Sequence, residues 1–355
     1  MATILIKNGR VWDGEKFFYS DVYSSDGKIL KIAKDIHDNA EFIYDASGKI
    51  VSAGLVDAHM HIKGISCEIF GTQGEASCFP FGVTSAVDAG ASHGTRELLD
   101  SFTLKNVVLV TALIKNNKFC PEHVEERIKV FGDKVVGIKV YFDVTQTEVA
   151  NEKPLKEICD YAHERGLFVM VHCANSPTKM ANILNTLGKG DVLTHSFHGQ
   201  PNTAKEDDYQ SMIKAQERGV IIDIGFAGHV HTDFDVLKCA IDKGIVPNVI
   251  STDLTRASAF IRGGRYGMTM CMSIAKDMGL KEEDVFKAVT SNPATVLAKQ
   301  DEWGYLREGR SADLTVLEYA DESYSLTDKA GNHIESDKGY RAVLTILNGQ
   351  IVYRR

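Results

Sequence analysis

The chain has 355 residues, of which 44% are hydrophobic and 25% are charged. These values are typical of a folded globular protein and exclude general disorder, and the length corresponds to about two domains. The 40 Lys and Arg residues are outnumbered by 48 Asp and Glu residues, so the formal net charge is -8. An acidic balance without a basic block argues against a nucleic-acid partner.

The sequence also argues against a membrane partner and a secretory route. No apolar run approaches the roughly 18 residues of a membrane span, and Lys7 and Asn8 interrupt the apolar stretch that a signal peptide needs. Seven scattered cysteines without a CxxC pair favour reduced thiols. We therefore expect a cytoplasmic protein that acts on a small molecule, and a homo-oligomer is left open.

Both ends of the chain predict short strands joined by tight turns. Asn8-Gly9 and Asn348-Gly349 are strong hairpin signals, each preceded by an apolar run of strand length. We predict that residues 1–54 and 303–355 together form one small β-sandwich. Two unrelated edge hairpins are the alternative.

The middle of the chain, residues 55–302, alternates apolar strands with helical segments. This alternation predicts an α/β fold, specifically a (β/α)8 TIM-type barrel. The eight predicted strands cover Leu55–Ile62, Gly82–Ala89, Asn106–Leu113, Val135–Phe142, Leu167–Cys173, Asp191–Phe197, Gly219–Phe226 and Val246–Leu254.

Several predicted strands end in possible metal ligands. His59 and His61 are two residues apart at the end of strand one, so both imidazoles lie on one side of the strand. His172 and His195 end strands five and six, and Asp253 ends strand eight. Each alone has an ordinary structural explanation, such as a helix cap for the aspartate. Because the carboxyl ends of barrel strands meet at one face, the set predicts a metal site.

Lys139 lies inside the apolar strand four. A buried ammonium is costly, so an exposed edge position or an ion pair with Asp253 is one explanation. The other is that a lysine with a lowered pKa reacts with CO₂. The resulting carbamate is an anionic ligand with two oxygens, able to bridge two metal ions.

With these residues in this order, the sequence resembles the amidohydrolase superfamily, in its two-metal branch with a carboxylated lysine. Dihydroorotases, hydantoinases and deacetylase-like amidohydrolases belong to that branch. The deacetylase-like group is the most similar, through residues 82–90, 190–195 and 250–253. The chain departs from that group in strand seven, where Phe226 replaces the histidine of an Asp-x-Gly-His-Gly run and His229 and His231 lie close by.

The resemblance implies a ligand set. His59 and His61 would bind the more buried ion with Asp253 as an additional ligand, and His172 and His195 would bind the second. Carboxylated Lys139 would bridge two divalent ions, for which zinc is the first choice and manganese or iron remain open.

The resemblance also implies a mechanism. A hydroxide shared by the two ions would attack the substrate carbonyl, and one ion would polarise that carbonyl. Asp253 would take the proton of the hydroxide and pass it to the leaving group.

A carboxylate-binding wall is a weaker interpretation. Arginines can clamp a carboxylate, although exposed charges at a helix start explain the same pattern. The candidate substrate-binding residues are His93, His198, Arg256, Arg262, Arg265 and Tyr266.

The expected function is hydrolysis of an amide or ester bond in a small acylated substrate that bears a carboxylate. The main alternative is cyclic amide hydrolysis of the dihydroorotase or hydantoinase type. A deaminase and a non-catalytic assembly partner are less favoured alternatives.

Overall fold

The computed structural model describes residues 3–67, 69–261 and 266–355. Two large sheets organise these residues: an eight-stranded sheet drawn from both ends of the chain, and a seven-stranded sheet drawn from its middle. The strands are β1 Ile4–Trp12, β2 Phe17–Ser25, β3 Lys28–Ala33, β4 Phe42–Asp45, β5 Ile50–Ala53, β6 Leu55–Met60, β7 Val83–Ala91, β8 Lys105–Thr111, β9 Leu113–Lys115, β10 Lys118–Cys120, β11 Val135–Tyr141, β12 Phe168–His172, β13 Val192–Thr194, β14 Ile221–Ile222, β15 Leu314–Thr327, β16 His333–Leu347 and β17 Gln350–Arg354.

The helices lie between the strands of the middle sheet and beyond its last strand. They are α1 Gly74–Cys78, α2 Arg96–Asp100, α3 Pro121–Phe131, α4 Lys153–His163, α5 Met180–Thr186, α6 Gln210–Glu217, α7 Phe234–Asp242, α8 Arg256–Ile261, α9 Met268–Asp277, α10 Glu282–Ala288 and α11 Ser291–Val296. None of these described helices is both long enough and apolar enough to cross a membrane.

The terminal sheet has the order β17-β16-β15-β5-β1-β2-β3, with β4 paired to β1. It joins both ends of the chain, as predicted, and encloses an apolar core of its own. The turn at Asn348-Gly349 lies between β16 and β17 as predicted. The strands β15 and β16 extend well beyond the predicted runs, and part of this hairpin packs against the barrel core through Leu317, Tyr340 and Ala342.

The hairpin predicted at Asn8-Gly9 is wrong. The strand β1 passes straight through these residues, and its pairing with β2 shifts register between Ile6 and Gly9. Asn8 has a φ of 60°, which is the left-handed conformation found at β-bulges. The bulge divides β1, so that its first half pairs with β4 and its second half with β5.

The middle sheet is parallel throughout and runs in the order β14-β13-β12-β11-β8-β7-β6. The predicted eighth strand, Val246–Leu254, is not a regular strand in the described structure. Its segment closes the barrel through single bridges, in which Val249 pairs with Asp223 and Leu254 with Met60. Asp253 has a φ of 46°, a conformation incompatible with an extended ladder.

The chain changes from the terminal sheet to the barrel at Gly54, between β5 and β6. A Cβ atom at this position would lie 2.0 Å from the Thr84 hydroxyl oxygen, so this close approach requires glycine. The division into two domains at residues 54 and 303 stays a prediction.

Candidate active site

The first cluster of possible ligands, which we call the strand-one group, consists of His59, His61 and Asp253. All three are buried, and one ligand atom of each lies within 4.8 Å of the others. Asp253 Oδ1 is 3.2 Å from His59 Nε2 and 3.0 Å from His61 Nε2. The Asp253 amide donates to the carbonyl oxygen of His59 at 2.7 Å, so the closing segment of the barrel holds the carboxylate against β6.

The second cluster, which we call the three-histidine group, consists of His172, His195 and His231. One ring nitrogen of each lies within 4.8 Å of the others. His172 ends β12, His195 follows β13, and His231 lies in the loop after β14. The structure thus brings His172 and His195 together as the sequence predicted, and adds His231 to them.

Lys139 lies beside the strand-one group. Its side chain projects from β11 and is fully buried, and its Nζ atom is 3.0 Å from His59 Nε2. Burial lowers the pKa of Lys139 to about 8. His195 Nε2 is 3.7 Å from Asp253 Oδ2, so the two groups adjoin. All six predicted ligands therefore lie in one continuous cluster.

Hydrogen bonds determine which ring nitrogen of His59 faces the other predicted ligands. Its Nδ1 is 3.0 Å from the Thr194 hydroxyl, and that hydroxyl donates its hydrogen to Asp223 Oδ2 at 2.7 Å. The Thr194 oxygen must therefore accept from Nδ1–H. His59 Nε2 therefore faces the other predicted ligands, at 3.0 Å from Lys139 Nζ and 3.2 Å from Asp253 Oδ1.

The same arrangement holds His61 and His195. His61 Nδ1 is 2.9 Å from the Ser66 hydroxyl, which donates to Asp88 at 2.9 Å. His195 Nδ1 is 2.7 Å from the carbonyl oxygen of Gly225, which can only accept. In both residues Nε2 therefore faces Asp253, at 3.0 Å for His61 and 3.7 Å for His195. Histidines that bind metals are typically held in this way, through the ring nitrogen that does not bind the ion.

The cluster fits divalent metal ions. Within the described residues the Nε2 atom of His195 is buried and has no hydrogen-bond partner. Burial lowers the pKa of His61 to about 4 and that of His231 to about 3, so these rings are neutral at pH 7, as metal ligands must be. Imidazoles around a carboxylate are a donor set that suits zinc and its neighbours among the transition metals.

The residues that orient the histidine rings by hydrogen bonds were not predicted from the sequence. Asp88 and Asp223, with Ser66 and Thr194, orient the rings of His61 and His59. A signal existed, because both aspartates interrupt apolar runs of strand length and buried carboxylates need partners.

Tyr141 and Asp143 also lie at the site without having been predicted. Tyr141 is two residues after Lys139 on β11, and its ring centroid is 6.0 Å from that of His172. Burial raises the pKa of Tyr141 above its usual range, so its hydroxyl stays a donor. Asp143 Oδ2 is 3.3 Å from His172 Nε2.

The weaker substrate-binding candidates are placed differently from one another. His93 is exposed, and its Nδ1 lies 2.6 Å from the carbonyl oxygen of Ser66. His198 is buried, and its Nε2 has no hydrogen-bond partner among the described residues. Arg256 is exposed at the start of α8. Arg262 and Arg265 lie outside the described residues.

Tyr266 was predicted to contact the substrate, but the structure gives its hydroxyl a partner in the protein. Its side chain is buried, and its hydroxyl donates to the carbonyl oxygen of Thr252. This contact supports the segment that carries Asp253, so the structure gives Tyr266 a positioning role next to the site.

A parallel barrel with histidines and a carboxylate clustered at the carboxyl ends of its strands is the architecture of a metal-dependent barrel enzyme. The sequence pattern of the Amidohydrolase family matches residues 50–352, and the chain belongs to this family. The family expected from the sequence is confirmed. The protein is therefore a hydrolase of the metal-dependent kind.

Individual relatives agree on the fold and differ in their names. A "Deacetylase" from Brucella anthropi is 30% identical over 330 residues, covering 86% of this chain and 81% of the relative. A structure described as an adenine deaminase has a TM-score of 0.85 at 26% identity and covers 99% of both chains. A structure described as a dihydroorotase has a TM-score of 0.87 at 24% identity with the same coverage. This similarity concerns the fold alone.

Proposed function

We propose that this chain is a binuclear hydrolase that cleaves an amide or ester bond in a small acylated substrate bearing a carboxylate. The observation that carries the proposal is the pair of adjoining ligand groups with the buried Lys139 beside His59. The deacetylase name of the Brucella anthropi relative supports this choice of bond.

The strand-one group would hold one divalent ion, and His172 and His195 would hold the second. Lys139, buried and 3.0 Å from His59 Nε2, would bridge the two as a carbamate, and zinc is the first choice for such ligands. When bound, the two ions supply an activated water and polarise the scissile carbonyl.

Asp253 would move the proton. Burial opposes its ionisation, but the neighbouring His59 and His61 outweigh burial and hold the pKa of Asp253 well below its usual range. Its carboxylate is therefore ionised at pH 7 and can accept a proton from the attacking water. The Asp253 carboxyl group can then deliver that proton to the nitrogen or oxygen atom of the leaving group.

Cyclic amide hydrolysis is the second candidate, because the same residues would open a ring as readily as they would remove an acyl group. The structure described as a dihydroorotase is similar over 99% of this chain. A non-catalytic partner is disfavoured because the predicted ligands lie together in one cluster. A cytoplasmic location, a small-molecule substrate and the absence of nucleic-acid and membrane partners complete the proposal.

The test is a hydrolysis screen of the protein reconstituted with zinc, manganese or iron. Its substrates are acyl amino acids, acyl hydroxy acids, cyclic amides and aminopurines, each assayed beside Asp253→Asn to exclude contaminating enzymes. We expect metal-dependent release of a carboxylic acid from acylated substrates. Turnover confined to aminopurines, with release of ammonia, would contradict the proposal, and turnover confined to cyclic amides would establish the alternative.

A further inference from the structure

The loop after β14 carries an imidazole that the predicted ligand set does not use. We propose that His231 is a third protein ligand of the ion held by His172 and His195. This inference rests on the proposed function, since it concerns the second ion of that centre, and it assigns a residue that lies outside the predicted set.

The ring nitrogens of His172, His195 and His231 lie close to one another. One ring nitrogen of His231 lies within 4.8 Å of a ring nitrogen of both His172 and His195. Zinc–nitrogen bonds of about 2.0–2.1 Å allow two nitrogens on one ion to be at most about 4.2 Å apart. Shifts of less than about 1 Å would therefore place all three nitrogens around one ion.

The three imidazole rings also pack against one another. The His231 ring centroid is 4.4 Å from that of His195 and 5.0 Å from that of His172. Among the described residues the buried Nε2 of His195 has no hydrogen-bond partner. Structural histidines usually form hydrogen bonds when they pack this closely. A cation among the three rings would use the free lone pairs.

Backbone hydrogen bonds hold the loop that contains His231. Ala227 and Gly228 have φ values of 48° and 62°, so the chain turns within the loop that follows β14. The Ala227 amide donates to Thr252 at 3.1 Å, and the Asp233 amide donates to Phe197 at 2.9 Å. Both ends of the loop are thus tied to segments that carry ligands, and His231 is held over the site.

The proposed ligand makes the two ions unequal. The second ion would have three imidazoles in addition to a carbamate oxygen, and zinc sites accept five ligands when water binds as well. Three nitrogens should retain zinc or cobalt after the carbamate is removed. Lys139→Ala would then lose ions from the strand-one group more readily than from the three-histidine group.

The experiment compares wild type, His231→Ala and His123→Ala, all loaded with zinc or cobalt. His123 is the control, because it is a half-buried histidine on α3 that belongs to neither group and has no proposed role at the site. Metal content during titration with a chelator and the visible absorption of the cobalt protein are the readouts. Thermal unfolding of the metal-free proteins checks folding, and His231→Asn replaces the alanine variant if that variant does not fold.

We expect His231→Ala to release one ion at a chelator concentration at least about tenfold lower than wild type, with a changed cobalt spectrum, while His123→Ala matches wild type. If His231→Ala keeps both ions at wild-type affinity with an unchanged spectrum, the inference is wrong and the proposed function stands. If wild type binds no second ion, the proposed binuclear function fails with it.

Discussion

The two ligand groups are held in place by different means. In the strand-one group, buried carboxylates act through hydroxyls: Asp223 through Thr194 on His59, and Asp88 through Ser66 on His61. In the three-histidine group, His195 is held by the carbonyl oxygen of Gly225, His172 is contacted directly by Asp143 at 3.3 Å without an intervening hydroxyl, and His231 lies on a loop.

This difference indicates a division of labour. A carboxylate behind a histidine fixes the orientation of the ring and increases its basicity, and the strand-one group also contains the charge of Asp253. The three-histidine group contains no carboxylate among its members and is partly exposed at His231. We therefore expect the strand-one group to be preorganised, and the three-histidine group to adapt to metal and substrate.

The largest expected effect follows from Asp253→Asn, which removes the charge of the strand-one group and its proton acceptor. We expect kcat to fall by about 10²- to 10⁴-fold, the range typical of general acid–base groups. Steady-state kinetics measures the loss. Asp242→Asn, on the surface of α7, is the control and should keep wild-type kcat.

Lys139→Ala tests the link between the two groups. We expect kcat/KM to fall at least about 100-fold, or about 2.7 kcal/mol, together with loss of bound metal, because the bridging ligand is gone. Acetate or propionate added to the variant should restore part of both, since a short carboxylate can occupy the vacated space. An unmodified lysine in wild-type protein that holds both ions, shown by intact mass under native conditions, would refute the carbamate.

Thr194→Val removes the hydrogen bonds that connect Asp223 to His59 while preserving the shape of the side chain. We expect metal affinity of the strand-one group to fall about 10- to 100-fold, with little change at the three-histidine group. Chelator titration separates the two ions. Thr111→Val is the matched control, because the buried Thr111 hydroxyl has no hydrogen-bond partner among the described residues. Equal losses from both groups would show that they are not separate.

The smallest expected effect concerns the arginines that follow the barrel-closing segment. Arg256→Ala should lower kcat/KM on a carboxylate-bearing substrate by about tenfold, because a charged hydrogen bond is worth about 1.5–3 kcal/mol at most. A neutral amide of the same substrate should react unchanged. The same comparison applies to Arg262 and Arg265. If none of the three variants discriminates between the two substrates, the carboxylate clamp is wrong.

Much of the site could be predicted because barrel geometry converts strand ends into neighbours. His59 and His61 were recognisable from their spacing, and Asp253 from its place after an apolar run. Lys139 was recognisable because a charge inside an apolar strand needs an explanation. These inferences need only local periodicity and the rule that working residues lie at the carboxyl ends of barrel strands.

The residues that were missed depend on backbone paths that periodicity does not describe. His231 reaches the site because Ala227 and Gly228 turn the chain within the loop that follows β14, which no apolar pattern indicates. The bulge at Asn8 has the same cause, because a residue that tolerates positive φ suits a bulge as well as a hairpin turn. The closing segment was predicted as a strand from its apolar run, yet its ladder is interrupted where Asp253 turns towards β6.

A crystal structure of the zinc-loaded protein, with anomalous diffraction measured at the zinc edge, would show whether two ions bind at the site. We expect two anomalous peaks: one among His59, His61 and Asp253, and one beside His172 and His195, with extra density on Lys139 between them. A catalytically active crystal preparation with a single peak and an unmodified Lys139 would contradict this expectation.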